Sequence, residues 1–272
     1  EGVRSCLIDL HRLCGYGHFQ LSEQLATVRE MLSALGEAHS AYNLALLLRS
    51  RGINATFVDL TGWREVENLP LDDKLRRALE PIALAEELPI VTGYAQCKEG
   101  LMKTFDRGYS EITLSRLAVL TGAREAVIHK EFQLCSADPK LLPEGAARVI
   151  DRTSYDVADQ LSEMGMEAIH PRAAKGLRQQ DIPLRIKSSF EPHSEGTVIQ
   201  RGYVSPEPRV EIIAGRPYVV GIEVHDPEMV GSFGHDERIL ELLKRHALSY
   251  EDKDTNANTI THYVVANLDR VR

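Results

Sequence analysis

The chain has 272 residues, 43% of them hydrophobic, enough for one large domain or two smaller ones around a sizeable core. With 40 acidic residues against 32 Lys and Arg, the formal net charge is −8, which argues against a general nucleic-acid or anionic-membrane binder. No apolar run approaches the roughly 20 residues of a membrane-spanning helix, no signal peptide opens the chain, and Cys6, Cys14, Cys97 and Cys135 form neither a C-x-x-C pair nor a zinc spacing, so free thiols in a reducing cytoplasm are expected.

In chain order, Val3, Leu7, Ile8, Leu10 and Leu13 recur at helical spacing, and Gly15-Tyr16-Gly17 breaks the run. Residues 21–49 read as mostly helical. Gly36 interrupts them at a cost of about 1 kcal/mol relative to Ala, which predicts a packing contact or a ligand approach there. Glu37, His39 and Ser40 follow it directly. Residues 55–60 read as a strand, 72–79 as a short helix and 89–94 as a second strand. A polar loop then leads to Asp106-Arg107-Gly108-Tyr109-Ser110-Glu111. The helix after it carries Leu114, Leu117, Ala118 and Leu120 on its apolar side. Thr121-Gly122 ends it, and Ala126-Val127-Ile128 begins another strand. Such a strand–loop–helix–strand unit sets a helix N-terminus beside the C-terminal edge of a parallel sheet, where free N–H groups and the helix dipole favour an anion.

Residues 136–140 read as a turn leaving the sheet. A helix is expected over 154–164, capped by Ser154, and another opens at Pro171. Residues 182–187 and 197–199 read as strands. Ser205-Pro206-Glu207-Pro208 marks a linker. Beyond it, strands are expected over 210–213, 218–224 and 259–265, with a helix over 237–246. The pattern predicts an α/β domain with a mainly parallel sheet, then a small α+β module.

Taken singly, the polar residues of these segments have plain structural readings. Glu37 reads as a solvated helix carboxylate, Ser110 as a helix N-cap and Arg107 as a surface loop arginine. His170, before Pro171, reads as a packed, hydrogen-bonded histidine.

Taken together, three ordered stretches resemble the aspartate kinases. They are Leu35-Gly36-Glu37-Ala38-His39-Ser40; Thr104-Phe105 running into Asp106-Arg107-Gly108-Tyr109-Ser110-Glu111; and Ser136-Ala137-Asp138-Pro139-Lys140 with Ala168-Ile169-His170-Pro171-Arg172-Ala173 and Lys187-Ser188-Ser189-Phe190. Details such as Met164-Gly165-Met166-Glu167 and Lys253-Asp254-Thr255-Asn256-Ala257-Asn258-Thr259 look most like the branch found with ectoine biosynthesis.

The resemblance implies an amino-acid-kinase-like three-layer αβα sandwich over residues 1–200. It implies a ferredoxin-like ACT module for regulation and dimerisation over 208–272. The implied reaction is ATP- and Mg²⁺-dependent phosphorylation of the L-aspartate side-chain carboxylate, in the cytoplasm, by a homodimer or higher oligomer. In that scheme Glu37 takes the substrate ammonium, Arg107 holds a carboxylate in a bidentate fork, and Ser110 adds a hydroxyl. Glu111 stands for the family's catalytic Asp and orients a lysine or assists Mg²⁺. His129, Lys130, Cys135 and Lys140 fall on the nucleotide side. Met229, Ser232, Thr255 and Asn256 match effector positions of lysine-inhibited relatives.

The departures lie mostly on the phosphate side. The family's N-terminal strand and Lys-Phe-Gly-Gly-type loop do not occur in these residues. They are expected to precede Glu1, and the ACT region is expected to continue past Arg272. The family's Thr-Asp-x-Asp-Gly stretch reads His129-Lys130-Glu131-Phe132-Gln133 here. A lysine before His-Pro is Glu167, so Lys130 is a candidate to supply the charge that Glu167 does not. The rival readings are an amino-acid kinase acting on glutamate or a nucleotide, and a catalytically weak amino-acid sensor on the same fold.

Overall fold

The computed structural model describes residues 4–5, 8, 11–12, 21–62, 67–101, 108–143, 145–163, 168–215 and 218–265. Helix α1 (Leu21–Ser50) runs through Gly36 unbroken. It lies against strands β1 (Ala55–Val58) and β2 (Leu88–Val91), burying Ala34, Ala41 and Ala45. Gly36 is on the exposed side, and nothing lies within 4 Å of where its Cβ would stand. The packing contact expected at Gly36 is therefore not there; small side chains on the other face set the packing distance. Strands β1 and β2 pair in parallel, Phe57 opposite Ile90. They are joined through helix α2 (Leu71–Leu79), as a parallel pair requires.

A second sheet has the order β3-β5-β6-β4, from β3 (Ala126–Lys130), β4 (Arg152–Ser154), β5 (Leu184–Ser188) and β6 (Thr197–Gln200). Strands β3 and β5 are parallel and so are β4 and β6, but β5 and β6 run antiparallel. This sheet is mixed rather than mainly parallel, because the link 189–196 is too short for a crossover helix. The turn closes at Gly196, φ 71°, where a Cβ would stand 2.3 Å from the Ile186 carbonyl oxygen.

Helices α3 (Tyr109–Thr121), α4 (Tyr155–Glu163) and α5 (Pro171–Gln179) pack around this sheet. Ser154 Oγ accepts from Val157 N at 3.2 Å, the cap its position predicts. Helices α3 and α5 approach closely through small residues: Ser115 Oγ donates to Ala173 O at 2.7 Å, and a Cβ on Gly176 would meet that hydroxyl at 2.9 Å. Helix α3 is accordingly buried at Ile112, Thr113, Ser115 and Ala118, while Leu114, Leu117 and Leu120 are half-buried. The core gathers Leu60, Leu75, Leu101, Tyr155, Ile169, Leu177, Leu184, Ile186 and Ile199.

Residues 210–213 form no strand. Ile212 and Ala214 rest against this first core, and Ile213 N donates to Ser136 O at 2.8 Å. The C-terminal module has β7 (Val219–His225), α6 (His235–Arg245), β8 (Tyr250–Thr255) and β9 (Thr259–Val265), with the antiparallel order β7-β9-β8. Strand β8 has no counterpart in the sequence reading. Its Tyr-Glu-Asp-Lys-Asp-Thr run has weak strand propensity and is wholly exposed; pairing with β9 makes it a strand, and its charges suit an edge. Among the described residues no helix is long and apolar enough to cross a membrane.

Candidate active site

Three segments meet where β2 ends. Strand β2 delivers Thr92-Gly93-Tyr94, α1 presents Glu37, and α3 begins just after Gly108. Glu37 Oε1 accepts from Ser110 Oγ at 2.9 Å, and Oε2 accepts from Tyr94 N. A Cβ on Gly93 would stand 2.7 Å from both Glu37 Oε2 and Ser110 Oγ. The contact thus exists only because residue 93 has no side chain. Gly93 carries the close approach that the sequence assigned to Gly36, and it stands out in sequence only as a glycine at a strand end.

The hydroxyl of Tyr109 also faces Glu37. Burial first, and the Glu37 charge second, raise its pKa. Tyr94 stacks edge-on against Tyr109 at 5.9 Å between centroids, and its own hydroxyl donates to Glu30 Oε2 at 3.3 Å. Glu37 is therefore not a solvated helix carboxylate: it is half-buried and ringed by donors.

Ser110 is not the N-cap of α3. Gly108 takes that position at φ 78°, and a Cβ there would press on the His170 ring at 3.0 Å. This frees the Ser110 hydroxyl for Glu37. Glu111, in the first turn, points the other way. Its Oε2 accepts from His170 N at 2.6 Å, and its Oε1 lies 3.1 Å from Lys130 Nζ. His170 Nδ1 in turn accepts from Arg172 N at 3.3 Å and caps α5. Arg107, with Asp106, lies outside the described residues, as does Glu167.

Beyond Lys130 opens a cleft of about 460 Å³, lined by Lys130, Phe132, Gln133, Asp138, Lys140 and Ile186 among others. Lys140 Nζ pairs with Glu131 Oε2 at 2.8 Å. The end of β5 ties to the residues at the end of β3: Ser188 Oγ donates to Glu131 O at 2.8 Å, and Ser189 N to Lys130 O at 2.8 Å. Of the four nucleotide-side candidates, Lys130 and Lys140 line this cleft and His129 and Cys135 do not. His129 alternates with Lys130 along β3 and is exposed. The Cys135 thiol is buried, donates to Gln133 O at 3.4 Å, and has its pKa raised first by that burial. Phe132, an exposed aromatic on the cleft wall, carries no signal in the sequence beyond its residue type.

In the C-terminal module, Asp226 N donates to Asn258 O at 2.9 Å, which joins the loop before α6 to the β8–β9 turn. The four effector candidates flank this junction. Met229 is only 8% exposed and packs in the module's core with Ile239 and Leu243, so its side chain offers little surface to an effector. Ser232 Oγ contacts His235 Nε2 at 2.5 Å, Thr255 ends β8 opposite Ile260, and Asn256 Oδ1 accepts from Asn258 N at 3.1 Å.

Residues 9–188 match the family model described as the amino acid kinase family. The chain is 55% identical over 263 residues to the aspartate kinase Ask_Ect of Stutzerimonas stutzeri (strain A1501), covering 97% of this chain and 55% of that protein. It is 32% identical over 191 residues to the aspartokinase of Schizosaccharomyces pombe (66% of this chain, 36% of that one). Among solved structures, Escherichia coli aspartokinase III in complex with aspartate and ADP superposes with a TM-score of 0.69 at 21% identity, over 97% of this chain and 60% of that one. That likeness establishes the shared fold. The chain spans about half the length of the first of these relatives and about a third of the second.

Proposed function

This chain belongs to the amino acid kinase family, and from that premise we propose that it forms the amino-acid side and part of the nucleotide side of an aspartate kinase. The reaction joins the L-aspartate side-chain carboxylate to the γ-phosphorus of ATP. The new P–O bond forms as the bond from that phosphorus to the bridging oxygen breaks, and the products are 4-phospho-L-aspartate and ADP. A carboxylate is already ionised at neutral pH, so no general base is needed. Catalysis then reduces to positioning and to neutralising the transferred group's charge. Mg²⁺ enters on the nucleotide's phosphates.

The observation that supports this most is the Glu37–Gly93–Ser110 contact standing one residue from the Glu111–Lys130 pair. Glu37 accepts from the substrate ammonium, and Ser110 lies beside a substrate carboxylate, with Arg107 as its bidentate partner. Lys130 and Lys140 offer positive charge to phosphates in the cleft, and its volume lies within the range of small-molecule sites. The 55% identity to Ask_Ect favours aspartate over glutamate and the ectoine-associated branch over others. Self-association through the module over 208–272, effector binding at Ser232, Thr255 and Asn256, and a cytoplasmic location complete the reading.

The test is a hydroxylamine-trap assay on the full-length protein, with aspartate and glutamate compared. ATP-dependent hydroxamate with aspartate is expected. None with aspartate sinks the proposal, and an equal rate with glutamate removes its specificity.

A further inference from the structure

We propose that Tyr109 is a substrate-binding residue, whose hydroxyl stands beside Glu37 as a second acceptor for the α-ammonium of the amino acid. This deepens the kinase reading and rests on it.

Tyr109 is the first residue of α3, and Gly108 before it, at φ 78°, lies against the His170 ring. Side chains in a helix lean toward its N-terminus, so Tyr109 and Ser110 both reach back to the end of β2, where Glu37 stands. The Tyr109 hydroxyl faces the Glu37 carboxylate, and its ring meets the buried Tyr94 ring edge-on at 5.9 Å. The Tyr94 hydroxyl is engaged elsewhere, with Glu30 Oε2 at 3.3 Å. Of the two phenols, Tyr109 is the one that brings its oxygen to Glu37.

Glu37 has three neutral donors, Tyr94 N, Ser110 Oγ and the Tyr109 hydroxyl, and no cation pairs with it among the described residues. Its two oxygens offer about four acceptor positions, which leaves room for one charged donor. An ammonium carries three N–H groups, and a single carboxylate position satisfies only one of them. A phenol that donates to Glu37 keeps its own lone pairs free to accept. Burial first, and the Glu37 charge second, raise the Tyr109 pKa, so the phenol keeps its proton at neutral pH and remains both donor and acceptor. An ammonium on the remaining Glu37 position thus finds the Tyr109 oxygen as its next acceptor. Orienting Glu37 does not require Tyr109, because Ser110 already fixes Oε1 and Tyr94 N fixes Oε2. The ammonium takes no part in bond making, so it is held alike in the ground state and in the transition state. Losing such a contact raises KM and leaves kcat.

The experiment uses the full-length protein and Tyr109→Phe, which keeps the ring against Tyr94 and removes only the oxygen. Aspartate kinetics are run beside competition by succinate, which is aspartate without its ammonium, and beside thermal melting. The aspartate KM should rise by about 10-fold with kcat within about twofold of wild type, since a hydrogen bond to a charged group is lost. The succinate inhibition constant should stay within about twofold, and the melting temperature should hold. An aspartate KM within about twofold of wild type would overturn the proposal. An equal loss of aspartate and succinate affinity, or a fall in kcat and melting temperature without a change in KM, would give Tyr109 a packing role alone and overturn it too. Should succinate fail to compete even in the wild type, the split between KM and kcat decides. A wild-type protein that forms no ATP-dependent hydroxamate with aspartate overturns the kinase reading itself, and the two failures stay distinct.

Discussion

The two cores of this chain handle buried polar groups differently. Around residues 58–199 they are largely built into the packing: Tyr155 Oη donates to Ile182 O at 2.7 Å, Ser115 Oγ to Ala173 O, and Thr197 Oγ1 to Ile150 O. The small module, with Met229, Ile239, Leu243, Ile260 and Val264 at its centre, buries His262 completely. Neither ring nitrogen of His262 makes an aligned hydrogen bond; Asp236 Oδ1 is 3.3 Å from Nε2, close enough to act as a charge. Lys253 from β8 pairs with Asp236 Oδ2 at 2.8 Å, and Tyr250 meets the ring edge-on at 5.1 Å. A large core whose buried polar groups are mostly satisfied, Thr153 Oγ1 and Gln133 Oε1 being exceptions, can hold clearances of a few tenths of an ångström. A small core with a buried titratable ring has less in reserve and responds to its surroundings.

The sharpest way to break this contrast is at Gly93. A methyl there overlaps Glu37 and Ser110, both held side chains. On the proposed aspartate kinase reading, Gly93→Ala should therefore lower kcat/KM for aspartate by roughly 100-fold or more while the fold persists, since a small misplacement of positioning groups has that effect. Steady-state kinetics beside a circular-dichroism melt decide it, and near-normal kinetics would mean that the clamp tolerates displacement.

Gly196→Ala tests the same rigidity through stability. The methyl meets the Ile186 carbonyl in a backbone at φ 71°, so a loss of roughly 2–4 kcal/mol is expected in denaturant unfolding. A loss under about 1 kcal/mol would show that the β5–β6 turn relaxes freely.

A smaller effect is expected from Asp72, whose carboxylate accepts two hydrogen bonds from Arg116 and so links α2 to α3. Arg116 holds the Asp72 pKa below 3.8. Stability from this pair is thus present above that value and lost as pH falls through the lowered folded value. Asp72→Asn should cost roughly 1–2 kcal/mol near neutral pH and progressively less in acid. Parallel acid profiles for the two proteins would refute the linkage.

The mildest prediction concerns His262. Burial first holds its pKa below 6.5. The unfolded chain then takes up a proton that the folded one refuses, so stability falls as pH drops below about 6.5, by at most ~1.4 kcal/mol per pH unit. His262→Leu should flatten that slope, as read by urea titrations between pH 7 and 5. An unchanged slope assigns the sensitivity elsewhere and removes the contrast between the two cores.

Much of this was legible in the residues. Periodicity marks α1, the helix after residue 108, and the strands at β1, β3, β5 and β9. Ser154 and Pro171 announce their helices because capping is local chemistry. Strand β8 was not legible, since its charges look like a loop until β9 pairs with it. Residues 210–213 look like a strand, but no strand pairs with them among the described residues.

The sequence by itself determined the alternation of helix and strand, the family, and the residue types of the clamp, because these depend on local propensity and short motifs. Tertiary structure decided which glycine allows close approach, Gly93 rather than Gly36. It turned Ser110 away from the cap and onto Glu37, and it set Lys130 rather than His129 in the cleft. The first two of those choices depend on which faces meet across 56 and 73 positions of chain, Glu37 to Gly93 and Glu37 to Ser110, a distance no local pattern encodes.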